Sequence, residues 1–143
     1  MQEKESFTKN RIKDKIEEIE KFMTELEDFT PENLEAYIED HLKKAACERY
    51  FEKIVEACVD LASLVISYKR LNIPEDDEKA FYVLSHNNII TMELANKLKE
   101  AKGMRNIIAH EYGKVDDELV FPAVKEELIP DVEKFLQKIK ETI

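Results

Sequence analysis

The stretch GMRNIIAHEYG, residues 103–113, decides how this chain folds. Apolar residues recur at steps of three and four positions before and within it, which predicts one amphipathic helix from about Thr91 to Tyr112. Gly113 follows the last apolar step, where glycine commonly ends a helix. The apolar positions of this helix are Leu94, Leu98, Ala101, Met104, Ile107 and Ile108.

The same helix would gather four polar side chains on one side. At about 100° per residue, Arg105 and Tyr112 project about 20° apart around the axis, and Asn106 and His110 about 40° apart. Ala109 lies between the two pairs and leaves room for a close approach. The last three apolar positions of the helix point to the opposite side, which we expect to be core.

This polar side suits phosphodiester chemistry. Arginine offers a planar cationic fork that matches phosphate oxygens, and histidine exchanges protons near neutral pH. His110 falls in the last turn of the predicted helix, where the helix dipole favours imidazolium. Arg105 would hold the charge on phosphorus while His110 moves a proton, with no metal ion and no cofactor. An Arg–His pair at this spacing is common by chance and is equally typical of a solvated helix surface.

The longer string resembles the HEPN superfamily and, within it, the HepT-type toxins, whose pattern is Arg, four residues, His, one residue, Tyr. Arg105, His110 and Tyr112 match that pattern, and Asn106 is the polar residue that the superfamily favours after the arginine. The run ERxFxxIxEA at residues 48–57 is also similar. The resemblance covers about residues 34–136.

The resemblance implies an all-α fold: an antiparallel up-and-down bundle of four to five helices with short extra helices at bends, in one domain over residues 1–143 that pairs as a two-fold homodimer. It implies a metal-independent endoribonuclease toxin of a type II/VII-like toxin–antitoxin pair, with Arg105, His110 and Asn106 as catalytic residues and RNA as substrate. A small MntA-like nucleotidyltransferase would neutralise it by adenylylating Tyr112. A non-catalytic HEPN subunit that only docks to a nucleotidyltransferase is the alternative.

Composition agrees with a single helical domain. The 143 residues include only two glycines and four prolines, and 43% are apolar against 38% charged. The net charge of −10 argues against broad coating of nucleic acid and leaves room only for a small local cationic site. A glutamate three residues before a histidine, as bundle-type metal sites need, is absent, because Ile38, Val83 and Ile107 occupy those positions.

The rest of the chain predicts further helices. Residues 1–7 are expected to fray, and an apolar stripe from Ile12 to Leu26 then predicts the first helix. Thr30 and Pro31 predict an N-cap and a first helical residue. A short helix near 31–37 and a long helix to about Leu71 would follow. Asp76 or Asp77 is expected to cap a short helix, and Asp116-Asp117 to form a loop or a new cap.

Three acidic residues of the long helix, Glu48, Glu56 and Asp60, are candidates to support Arg105 or His110; the other interpretation is solvated ion pairs. Cys47 and Cys58 are about 16 Å apart along that helix, too far for a disulfide, and are expected to be buried thiols. The sequence shows no signal peptide and no membrane span, so a cytoplasmic protein is expected.

Overall fold

The computed structural model describes residues 2–110 and 115–143, and within these ranges it contains helices and no strand. The long helices are α1 (Gln2–Phe29), α3 (His41–Tyr68), α5 (Met92–His110) and α7 (Leu128–Thr142). Short helices lie at the bends between them: α2 (Leu34–Glu39), α4 (Ala80–His86) and α6 (Asp117–Pro122). A 3-10 turn at Asp77–Lys79 precedes α4, and a π-helical segment at Ala123–Glu127 joins α6 to α7. The predicted all-α bundle with short helices at its bends is confirmed.

Helix α3 forms the centre of the bundle. Helix α1 packs along its length, and α4, α5 and α7 also contact it. The predicted stripe of α1 from Ile12 to Leu26 is buried, and so are eleven residues of α3, including both cysteines as free thiols. A single cluster of buried side chains runs from Ile12 to Ile139. Burial of each large side chain contributes about 1.5–3 kcal/mol, so α3 holds α5 in place largely through apolar contact.

The restart after α1 differs from the prediction. The Thr30 amide and hydroxyl both donate to the Leu26 carbonyl, at 3.0 and 2.6 Å, so Thr30 ends α1 and does not begin α2. Asn33 is the N-cap, since its side-chain oxygen accepts from the Ala36 amide at 2.8 Å. Helix α1 itself begins at Gln2 and includes residues 2–7, where we expected fraying.

Helix α3 ends at Tyr68, earlier than the predicted Leu71. Arg70 adopts a φ of 56°, and the Leu71 amide turns back to donate to the Ile66 carbonyl at 2.9 Å. This left-handed closure satisfies carbonyls at the helix end before the sequence reaches Pro74. The predicted caps at Asp76 and Asp116 are both present, accepting from Lys79 at 3.2 Å and from Glu118 at 2.9 Å.

Pro122 and Pro130 do not separate α6 from α7. Pro122 is the last residue of α6 and has no amide hydrogen to donate, and the helix widens into the π segment directly after it. Pro130 lies in the first turn of α7, where proline is tolerated. No helix in the described parts of the chain is long and apolar enough to cross a membrane.

Candidate active site

Helix α5 carries the motif. Thr91 caps its start, because the Thr91 hydroxyl accepts from the Leu94 amide at 3.1 Å. The buried residues Leu94, Ala95, Leu98 and Ile108 face the bundle and fix the rotation of the helix. His110 is the last helical residue before the undescribed segment 111–114. Tyr112 and the predicted helix end at Gly113 therefore lie outside the described residues.

The guanidinium of Arg105 is held by two partners. Its Nη2 pairs with Oε1 of Glu56 on α3, and its Nη1 donates to Oδ1 of Asn106 at 3.0 Å. Its Nε is buried and has no hydrogen-bond partner within the described ranges. The Arg105 side chain is 25% exposed and that of Glu56 is 42% exposed. The cationic group is thus oriented by the protein and still reaches solvent.

Arg105 lines a cleft of about 260 Å³ between α3 and α5. The charged groups of the cleft are three carboxylates and two cations, and one carboxylate, Asp60, also lies 3.7 Å from Lys15. The lining residues are Val55, Glu56, Val59, Asp60, Asp77, Lys102 and Arg105. One protomer therefore offers a polar cleft without an excess of positive charge.

His110 is exposed at the carboxyl end of α5. It lies five residues after Arg105, which places the two about 140° apart around the axis, with Asn106 and Ala109 between them in angle. Neither functional side chain is buried in hydrocarbon. Ile107, which we predicted to be core, is 44% exposed, because it lies about 180° around the axis from the buried Leu98.

The three predicted supporting carboxylates do not act together. Glu56 contacts Arg105, and Asp60 lines the same cleft. Glu48 lies about two turns earlier on α3, where Lys44, Asp117 and Glu52 are its charged neighbours and burial raises the pKa of its carboxyl. Glu48 thus belongs to a different charged cluster, whose Lys44 Nζ and Asp117 carboxylate are 2.8 Å apart.

Two cleft residues were missed by the sequence analysis. Lys102 lies one turn before Arg105, at about 60° around the axis, so helical spacing alone was enough to find it. Asp77 comes from the turn before α4, and no periodic signal links it to α5. A larger cavity of about 340 Å³ lies on the Met104 side of α5, against the π segment, and contains none of the polar motif residues. Within the described residues, no group of three or more His, Cys, Asp or Glu side chains could hold a metal ion.

An all-α bundle with an arginine and a histidine five residues apart near the end of a long helix has the features expected of the HEPN class of helical proteins. The sequence model described as "Ribonuclease HepT-like" matches residues 12–139. The chain therefore belongs to the HepT-like ribonuclease family.

Individual relatives agree with this family. The chain is 35% identical over 89 residues to a Shewanella oneidensis protein named mRNA nuclease HepT, covering 62% of this chain and 66% of that protein. It is 27% identical over 113 residues to a tRNA nuclease HepT of Aphanizomenon flos-aquae, covering 79% and 77%. In structure it is similar to a tri-AMPylated HEPN toxin of Shewanella oneidensis, solved in complex with MNT antitoxin. The TM-score is 0.84 at 28% identity, and the match covers 91% of this chain and 96% of that one.

Proposed function

We propose that this chain is an endoribonuclease toxin that cleaves RNA without a metal ion. The observation that carries the proposal is the Arg105 guanidinium, held by Glu56 and Asn106 at a solvent cleft, five residues before an exposed histidine. Family membership supports the same activity, since relatives are named mRNA and tRNA nucleases. The RNA of a cell lies in the cytoplasm, which is where such a toxin acts.

The reaction is an internal transfer at phosphorus. The ribose 2′-oxygen attacks the adjacent phosphorus, the bond from phosphorus to the 5′-oxygen breaks, and a cyclic phosphate end and a 5′-hydroxyl end result. Arg105 stabilises the charge that builds on the equatorial oxygens. His110 transfers a proton, either from the attacking hydroxyl or to the leaving oxygen. Asn106 helps to position the guanidinium or the phosphate.

The active form is a homodimer in this proposal. The cleft of one protomer has no excess of positive charge, whereas a two-fold pair that brings two α5 helices together doubles the arginines and histidines beside one RNA strand. The exposed Ile107 lies about 60° from His110 and about 160° from Arg105 around the axis of α5, so it supports an interface on the His110 side of the helix. Sedimentation equilibrium tests this: we expect a dimer that Ile107→Glu dissociates, and a monomeric wild-type protein would contradict it.

The partner in this proposal is an MntA-like nucleotidyltransferase that adenylylates Tyr112. An adenylyl phosphate there would add negative charge close to the Arg105 side of the helix and obstruct RNA. Intact mass of the protein after co-expression with a nucleotidyltransferase encoded beside it tests this. We expect a gain of one or more AMP units that Tyr112→Phe abolishes; an unchanged mass would contradict it.

Cleavage of RNA by the purified protein is the central test. Wild-type protein should cut RNA in the presence of EDTA, and Arg105→Ala and His110→Ala should each abolish cutting without unfolding the protein. Arg49→Ala and His41→Ala are matched controls, because Arg49 is 58% exposed and pairs with Glu52 of its own helix, and His41 is exposed at the start of α3. Cleavage that needs added metal, or that survives both motif changes, would overturn the proposal.

One observation favours the alternative of a non-catalytic subunit that docks to a nucleotidyltransferase. The chain has a net charge of −10, and three carboxylates line the cleft beside Arg105. Expression with and without the neighbouring nucleotidyltransferase separates the two functions. Growth arrest only when the chain is expressed alone indicates a toxin, and unimpaired growth in both cases indicates the docking subunit.

A further inference from the structure

Neither the motif nor the family description explains why Glu56 lies at Arg105. It belongs to α3, and its Oε1 pairs with Nη2 of Arg105 across the interface between α3 and α5. We propose that Glu56 is the positioning residue of Arg105 and that its negative charge also limits how tightly the site binds RNA. This inference rests on the proposed ribonuclease function and assigns the residue that sets the site's geometry and affinity.

Two contacts orient the guanidinium of Arg105. Asn106 holds Nη1 from within α5, and Glu56 holds Nη2 from the neighbouring helix, so the plane of the guanidinium is fixed by two points. The Nε has no partner within the described ranges to add a third point. Without Glu56 the guanidinium keeps one anchor, on the adjacent residue of its own helix, and the fork can rotate. A fork that rotates no longer meets the phosphorus oxygens in one geometry.

The Glu56 carboxylate also affects the charge of the site. A phosphate that reaches Arg105 shares the guanidinium with this carboxylate, and two negative groups on one cation repel each other. The other charged residues that line the cleft are two carboxylates, Asp60 and Asp77, and one cation, Lys102, so together they do not offset this repulsion. Removing the Glu56 charge therefore strengthens RNA binding even as it removes an ion pair.

These two effects separate in two substitutions. Glu56→Gln removes the charge and keeps an oxygen acceptor at the same distance from Nη2. Glu56→Ala removes both. We expect both variants to bind RNA about three- to tenfold more tightly, with the gain limited by the partial exposure of the pair. We expect kcat to stay within about twofold of wild type for Glu56→Gln and to fall about 10- to 100-fold for Glu56→Ala.

Glu20 provides the matched control. It is a glutamate of α1 whose side chain is 46% exposed and pairs with Lys140 of α7 at 3.2 Å, and it does not line the cleft. Glu20→Gln and Glu20→Ala should therefore have the same kcat, within about twofold of wild type. RNA affinity is measured by fluorescence anisotropy with a short labelled RNA in the His110→Ala background, so that the RNA stays intact, and kcat is measured by single-turnover cleavage with His110 present.

The outcomes distinguish this inference from the proposed function. A lower kcat for Glu56→Ala than for Glu56→Gln, with no such difference between the two variants of Glu20, supports the positioning role. Two results overturn this inference and leave the proposed function intact, provided that cleavage still depends on Arg105 and His110. One is an equal kcat for Glu56→Gln and Glu56→Ala, and the other is weaker RNA binding by both variants. No cleavage by the wild-type protein removes both.

Discussion

Replacing Arg105 by lysine tests whether the site needs only a positive charge or the planar guanidinium with its paired N–H donors. The guanidinium reaches Glu56 through Nη2 and Asn106 through Nη1 at the same time. A lysine ammonium keeps the charge but is a single point, so it cannot hold both partners and present two parallel N–H groups to a phosphate. Arg105→Lys should therefore retain RNA affinity within about threefold while kcat falls about 100-fold, as loss of a donor aligned on transition-state charge costs about 2.7–4 kcal/mol.

The same substitution should hardly affect folding. The Glu56–Arg105 pair is partly exposed, and such pairs contribute about 0–1 kcal/mol to the free energy of unfolding. For a domain of this size that corresponds to a change in Tm of less than about 5 °C. The assays are single-turnover cleavage, RNA binding in the His110→Ala background, and thermal unfolding by circular dichroism, with Arg49→Lys as the control.

Two results would refute this reasoning. If Arg105→Lys cleaves RNA at more than about a third of the wild-type rate, charge alone is sufficient and the fork has no role. If its Tm falls by more than about 10 °C, Arg105 is mainly a structural link between α3 and α5, and the loss of activity reports unfolding.

Three further predictions concern stability, each measured by chemical or thermal unfolding. Phe51→Ala, which empties a fully buried position of the central helix, should lower the free energy of unfolding by about 3–5 kcal/mol, while Phe7→Ala at an exposed position should change it little; equal effects would contradict the packing described. Gly103→Ala should raise the free energy of unfolding by about 0.5–1 kcal/mol, because Gly103 lies within a helix and an added Cβ meets no atom within 4 Å. A lower free energy of unfolding would show that another molecule packs at this position. Glu48→Gln should stabilise the protein near pH 7 and have no effect at a pH below the ordinary glutamate pKa. Burial raises the pKa of the Glu48 carboxyl, so the folded state favours its protonated form. The stability that this protonated form contributes is lost as pH rises through the folded-state pKa, and glutamine avoids that loss. The same effect at both pH values would show that Glu48 acts by another cause.

The helical register of α5 could be read from spacing, but the side of α5 that faces the bundle could not. Leu98 and Arg105 are seven residues apart and therefore about 20° apart around the axis, so Arg105 lies on the same side as the buried Leu98. Ile107 was misplaced because it lies about 180° from Leu98, on the exposed side of the helix. The packing of α3 against α5 decides which side is covered, and this packing is a property of the whole bundle.

The partner of Arg105 shows a different limit. Glu48, Glu56 and Asp60 were all acidic residues of α3 with suitable spacing, and only the rotation and offset of α3 against α5 decide that Glu56 makes the contact. The cap of α2 was ambiguous for a local reason: Thr30 and Asn33 are both good N-caps, and Thr30 instead bonds back to Leu26. Asp77 reaches the cleft through tertiary packing that no local pattern encodes.

Under the proposed function, the different supports of Arg105 and His110 make phosphate binding and proton transfer separately adjustable. Arg105 is tethered to the central helix, whereas His110 extends into solvent at the tip of α5, two residues before Tyr112. A change confined to His110, such as alkylation of its imidazole, would stop proton transfer and leave the guanidinium as it was. A silenced molecule of this kind would retain its hold on RNA and compete with active copies for the same transcripts, so that partial silencing lowers cleavage by more than the fraction of molecules affected.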